Sequence, residues 1–120
     1  VKLDETWDDR YQLINAPYLH YGVVTTAVNF TAGVDSAAAV ILATAAITVT
    51  LPDATTRKGK AYWIKNANVL GNVTVATIGG QPIDGTVANR TLGQNAGALF
   101  VSDGTGWRIL GTYAGAFPLP

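Results

Sequence analysis

Ile47-Thr48-Val49-Thr50-Leu51-Pro52-Asp53 alternates apolar and hydroxyl side chains residue by residue. In an extended segment Ile47, Val49 and Leu51 share one face and Thr48 and Thr50 the other, the two-residue period of a half-buried strand. Pro52 has no N–H to give to a ladder and closes the run. Tyr62-Trp63-Ile64-Lys65-Asn66 reads as the next strand after a charged turn over Arg57–Lys60. Further out, Val23 to Phe30 alternates loosely, Val40-Ile41-Leu42 is a short apolar run, and Asn72 to Ile78 alternates through Val73, Val75 and Thr77. Gly79-Gly80 breaks that strand, Pro82-Ile83-Asp84-Gly85 is an edge piece and turn, and Arg90–Leu92 is a short strand. Ala98–Ser102 pairs with Gly106–Leu110 across Asp103-Gly104-Thr105, where the glycine supplies positive φ. Roughly eight short strands with regular turn signals predict an all-β fold, a compact antiparallel β-sandwich or barrel-like module. No internal repeat stands out.

Composition removes whole classes of function. A chain of 120 residues is most simply one domain. Charged residues are only 13% against a typical share of about 25%, while hydrophobic residues reach 48%. So few charges leave neutral and apolar surface to cover, which predicts an obligate oligomer; the alternative is a monomer coated with Thr, Asn and Gly. Net charge is zero and the pI is 6.7, so no basic stripe speaks for nucleic acid. No cysteine is present, and disulfides play no part. No apolar run approaches the ~20 residues of a membrane span, and Ala37–Ala46 is too short. The N-terminus lacks the basic and apolar regions of a secretory signal. Val1 is small enough to permit removal of an initiator Met, which would make the chain a complete gene product.

The chain divides into residues 1–22, a candidate N-terminal arm, and residues 23–120, a β module. Trp7, Tyr11, Tyr18 and Tyr21 crowd the first part together with Asp4, Glu5, Asp8 and Asp9. Leu3, Trp7 and Ile14 fall near helical spacing, but Pro17 stops a helix from running through the end. Two readings stand: an extended arm lying on another protein, or a first strand and loop folded back on its own domain. Residues 1–10 carry two bases and four acids, net −2, which leaves six bases and four acids, net +2, for the rest. The basic group Arg57, Lys58, Lys60 and Lys65 can meet an acidic surface such as another copy's Asp4–Asp9. It can equally be a solvated tip that discourages edge pairing.

Chemistry-bearing groups are sparse. His20 is the lone histidine, and Ser36 and Ser102 are the only serines, neither in a Gly-x-Ser-x-Gly elbow. The spacing of Asp4, Glu5, Asp8 and Asp9 matches no calcium loop. Asp84 and Asp103 precede glycines and read as turn residues. Gly79-Gly80 lacks the Lys-Ser/Thr and helix of a phosphate cradle. The expectation is therefore no catalytic residue, no cofactor, no metal and no enzyme. Tyr62, Trp63 and Trp107 offer aromatic faces for a sugar, yet alternation sends Tyr62 and Trp63 to opposite sides of their strand.

Taken in order, Ala46–Asp53, Arg57–Lys60, Tyr62–Asn66, Asn72–Val75, Gln81–Gly85 and Leu99–Ile109 resemble a β module of tailed-phage virion proteins. The resemblance spans about residues 38–112. Such modules occur in tail fibres, tailspikes, head fibres and capsid decoration (cement) proteins, usually as homotrimers. It implies a non-enzymatic virion protein on the capsid exterior, partnered by its own copies and by the major capsid protein, with no nucleic acid and no membrane. The chain is too short for a fibre shaft, which favours a decoration protein whose arm attaches it. The contact residues expected are Trp7, Tyr11, Tyr18, Tyr21, Arg57, Lys58 and Lys60. The other expectation is a receptor-binding fibre module that takes a carbohydrate through loops such as Asn66–Asn72.

Overall fold

The computed structural model describes residues 22–33, 38–68 and 70–114. Most alternating patterns become strands near where the sequence places them, while the Val23–Phe30 run splits into two strands of different sheets: β1 (Gly22–Thr26), β2 (Phe30–Thr31), β3 (Ala38–Ala43), β4 (Thr48–Leu51), β5 (Ala61–Asn66), β6 (Val73–Thr77), β7 (Arg90–Leu92), β8 (Gly97–Ser102) and β9 (Trp107–Tyr113). A single 3₁₀ turn, Ala54–Thr56, follows β4, with Asp53 as its cap. Among the described residues there is no α-helix, and the all-β expectation holds.

The expected antiparallel arrangement does not hold. One sheet has the order β1-β3-β5-β8-β9 and the other β2-β4-β6-β7. β1, β3 and β5 pair in parallel, as do β2, β4 and β6, and only β5-β8, β8-β9 and β6-β7 are antiparallel. The reason lies in the connections. Residues 27–29, 44–47 and 67–72 carry the chain from the first sheet to the second instead of reversing it within one sheet. Each winding then stacks on the one before, and equivalent strands run the same way. Parallel strands usually need a long crossover; here the crossover is a strand of the facing sheet. Bonds continue the ladder around one corner, from Thr44 N to Thr26 O (2.9 Å) and from Ala67 N to Ala43 O (2.8 Å).

Inward side chains of both sheets form one core, with Ile41, Val49, Leu51, Ile64, Val75 and Phe100 essentially inaccessible. Trp107 fills its end, 5.7 Å from the Tyr62 ring, and donates from Nε1 to Pro52 O (3.1 Å), which ties the two sheets together. The chain passes Pro82 so closely there that a Cβ on Gly106 would lie 2.7 Å from the Pro82 carbonyl oxygen. Asp84 and Gly85 both take positive φ (54° and 81°), and Ile83 and Thr86 exchange bonds across them. That is the two-residue primed turn that Asp-Gly favours.

Asn66 is the other tie. Fully buried at the end of β5, its Nδ2 donates to Gly71 O (2.9 Å), Leu92 O (3.0 Å) and Gly93 O (2.9 Å), and its Oδ1 accepts from Asn68 N (2.9 Å). Only the Leu92 carbonyl bond is fully buried, and stripping it of its donor costs ~1–3 kcal/mol, while the part-buried Gly71 and Gly93 carbonyls can recruit water and add less. Asn66→Leu should therefore destabilise the fold by about 2–4 kcal/mol in urea unfolding with an unchanged m-value.

Candidate interaction surface

The polar side chains that could carry chemistry are taken up by the backbone. Asp53 accepts from Thr55 N (2.9 Å), Thr55 Oγ1 (2.7 Å) and Gln81 Nε2 (2.8 Å), while Gln81 Oε1 accepts from Ala54 N (3.0 Å). The Thr55 hydroxyl, then Gln81, hold the Asp53 carboxyl below its ordinary range. Asp84 Oδ1 accepts from Ile109 N (3.0 Å), pinning the primed turn to β9. Buried Ser102 donates to Ala54 O (2.7 Å) and accepts from Gly104 N (3.1 Å), so its hydroxyl braces a turn. Among the described residues no cluster of His, Asp or Glu is arranged to hold a metal, and no helix is long and apolar enough to cross a membrane. His20 and Ser36 lie outside the described residues.

A cleft of about 200 Å³ opens beside Asp103, Thr105 and Arg108. It falls short of the roughly 300–1,000 Å³ of ligand pockets. Its charged members bond each other, Arg108 Nε to Asp103 Oδ2 at 2.9 Å. For a sugar shelf only Trp63 remains, because Tyr62 and Trp107 are core and Asn66 is inside.

The outer sheet faces differ sharply in chemistry. On the four-stranded sheet the outward residues are Thr48, Thr50, Thr74, Ala76, Thr91 and Thr31, a face of hydroxyls and one methyl. On the five-stranded sheet, register lines up Val23, Val40, Trp63 and Leu99 in one row across four strands. Leu42 and Val101 flank it, and Leu110, left unpaired by a bulge in β9, is two-thirds exposed. Trp63 is 47% exposed and Val23 56%. Among the described residues two cations share this face. Lys65 Nζ donates to Asn95 O and lies 4.7 Å from the Tyr113 ring, and Arg108 has Asp103.

Of the residues expected to make contacts, Arg57, Lys58 and Lys60 are brought together in one turn at the end of the five-stranded sheet, closed by Lys60 N to Arg57 O (2.8 Å). Arg57 Nη1 donates to Thr56 Oγ1 (3.1 Å), Lys58 lies along Gly104, and Lys60 sits 5.4 Å from the Tyr62 ring. Trp7, Tyr11, Tyr18 and Tyr21 lie outside the described residues. Sequence reasoning anticipated apolar surface from the low charge but did not place it. The signal was available: Val40-Ile41-Leu42 and Leu99-Phe100-Val101 are apolar at consecutive positions, so both faces of β3 and β8 are apolar.

Compared with protein-family models and with curated proteins, the sequence has no match.

Asp103 has the strongest electrostatic setting. The N–H groups of Gly106 and Thr105, then Arg108, lower its pKa from 3.8 to about 2. A depressed carboxyl stabilises the fold fully above its unfolded pKa of 3.8 and loses that contribution as pH falls through about 2. Asp103→Asn should thus be less stable than the parent at pH 7, with the difference shrinking as pH falls from about 4 through about 2, read by thermal melts across that range.

Proposed function

We propose that this chain is a non-enzymatic structural protein of a virion, a capsid decoration protein that packs as a homotrimer and binds the shell through its N-terminal segment. The observation that carries this reading is the Val/Leu/Trp outer face of the five-stranded sheet, set against the threonine face of its partner sheet. A fold that can clothe one sheet in hydroxyls has no physical need to leave indole and isobutyl groups in water on the other, unless protein covers them. The carboxylates and amides fit the same reading, since they serve caps and turns and not a reaction centre. The virion assignment rests on the sequence resemblance over residues 38–112.

The working physics is burial repeated by symmetry. Trp7 and Tyr11 in each arm would bury apolar area on the shell at ~25 cal/mol per Å². Three arms on one body release only together, so modest single contacts hold firmly. The basic turn Arg57–Lys60 offers the net-negative residues 1–10 of a neighbouring copy a complementary surface that guides register.

The test is particle retention. The purified protein should appear on virions at high copy number and raise the melting temperature of the head. Trp7→Ala/Tyr11→Ala should keep the oligomer and lose at least roughly 100-fold in affinity for stripped particles, since two buried aromatics contribute on the order of 3 kcal/mol in each of three arms that act together. Equal retention of parent and variant in sedimentation with particles would remove the arm from the mechanism.

A further inference from the structure

We infer that the outer face of the five-stranded sheet is where copies of this chain meet, three around one axis, with Trp63 innermost. The inference rests on the proposed reading as a self-assembling structural subunit and names the surface that reading leaves open.

The area of the face is sufficient for copies to meet through it. Five strands at about 4.8 Å spacing and six residues at about 3.3 Å rise span roughly 24 by 20 Å. Two such faces bury about 1,000 Å², the floor for a specific interface, and three bury about 1,500 Å² in all, shared among three pairs around one core, so area is enough for self-contact and the side chains select the number of copies.

The placement of side-chain bulk selects the symmetry. Trp63 is the largest side chain on the face and sits on β5, the middle strand of the five. Three flat faces of that width around an axis hold their centres about 7 Å from it, which suits the reach of an indole. Two sheets stacked at about 10 Å leave only about 5 Å per side, too shallow for an indole standing at the centre of each face. Smaller side chains, Val23 and Val40 on one flank and Leu99 on the other, lie toward the corners where neighbouring sheets converge.

Charge permits self-contact. Like copies meeting through one patch bring like charges together, and an uncompensated cation would be costly there. Among the described residues of this face Arg108 is ion-paired with Asp103 of its own chain, and the Lys65 charge is drawn to the Asn95 carbonyl, in the turn before β8, and to the Tyr113 ring, at the end of the sheet and away from the central Trp63.

The experiment uses the full chain. Sedimentation equilibrium should give three chains for the parent and for Thr91→Lys on the threonine face, and a single 12.5 kDa chain for Trp63→Lys. A cooperative urea unfolding transition followed by far-UV circular dichroism reports whether the variant is folded. Because the chain has no cysteine, Leu110→Cys and Thr91→Cys provide a second readout that does not require disrupting the assembly. Maleimide should label the Leu110→Cys thiol at least about tenfold more slowly than the Thr91→Cys thiol, since reaction follows access. A parent oligomer that survives Trp63→Lys, with both thiols labelled at equal rates, overturns this interface and leaves the structural role standing. A parent that stays a single chain at high concentration overturns the inference, and particle retention then decides separately whether the decoration role survives.

Discussion

Strands β1 to β6 answer to one constraint: the chain crosses between two facing sheets before it can return to the first. Lateral partners of β3 and β5 therefore come from a different winding and never from the adjacent strand in sequence. The inner residues must then be apolar and of matched size in columns that run across windings. Ile41 stacks on Ile64 in one sheet and Val49 on Val75 in the other. Where the column ends in a polar side chain, that side chain has to satisfy carbonyls from more than one element. Asn66 does so, with three of its hydrogen bonds reaching the β6–β7 side of the core.

This constraint explains which parts of the fold were legible. The period-two pattern is local, so β4, β5, β6, β8 and β9 could be placed from their own residues. The turns Asp84-Gly85 and Asp103–Gly106 could be placed from glycine and aspartate chemistry. Strand pairing between windings is not local. The corners at Thr44–Ile47 and Ala67–Asn72 carry no marker that separates a sheet-changing bend from a hairpin, and an antiparallel expectation was the natural default. Asn66-Ala67-Asn68 reads as loop chemistry for the same reason. An amide that caps a core and an amide that faces a ligand have identical letters, and only burial tells them apart.

The candidate surface was half legible. Low charge content signals uncovered apolar area, but a strand's face assignment needs its neighbours. Trp63 alternates with Tyr62 and Ile64, and nothing in the pentapeptide says which side is the core. The pairing across β3, β5 and β8 decides it, because Ile41, Ile64 and Ala98 form the buried column and Val40, Trp63 and Leu99 the outward one. The basic turn was visible as sequence, yet its setting beside the Asp103 turn depends on the bonds between Gly59, Lys60 and Ser102.

The same winding sets how such a molecule must fold. Hairpins β8–β9 and the Asp-Gly turn close small loops and can form early. The parallel pairs β1–β3, β3–β5 and β4–β6 close longer loops, and their contacts reward the chain only after that entropy is lost. Until they form, an apolar five-strand face and open strand edges are exposed together, which favours edge-to-edge association. The threonine face lowers that hazard on one side, since hydroxyl-lined strands pair without burying much apolar area. The short β2 and β7 do the same at the edges of the second sheet, because a two- or three-residue edge offers little template. Scattered apolar residues such as Val28, Leu70 and Val87 remain exposed in the connections, but the continuous apolar patch is the one surface that self-assembly would remove, so covering that face would complete folding as well as form a complex.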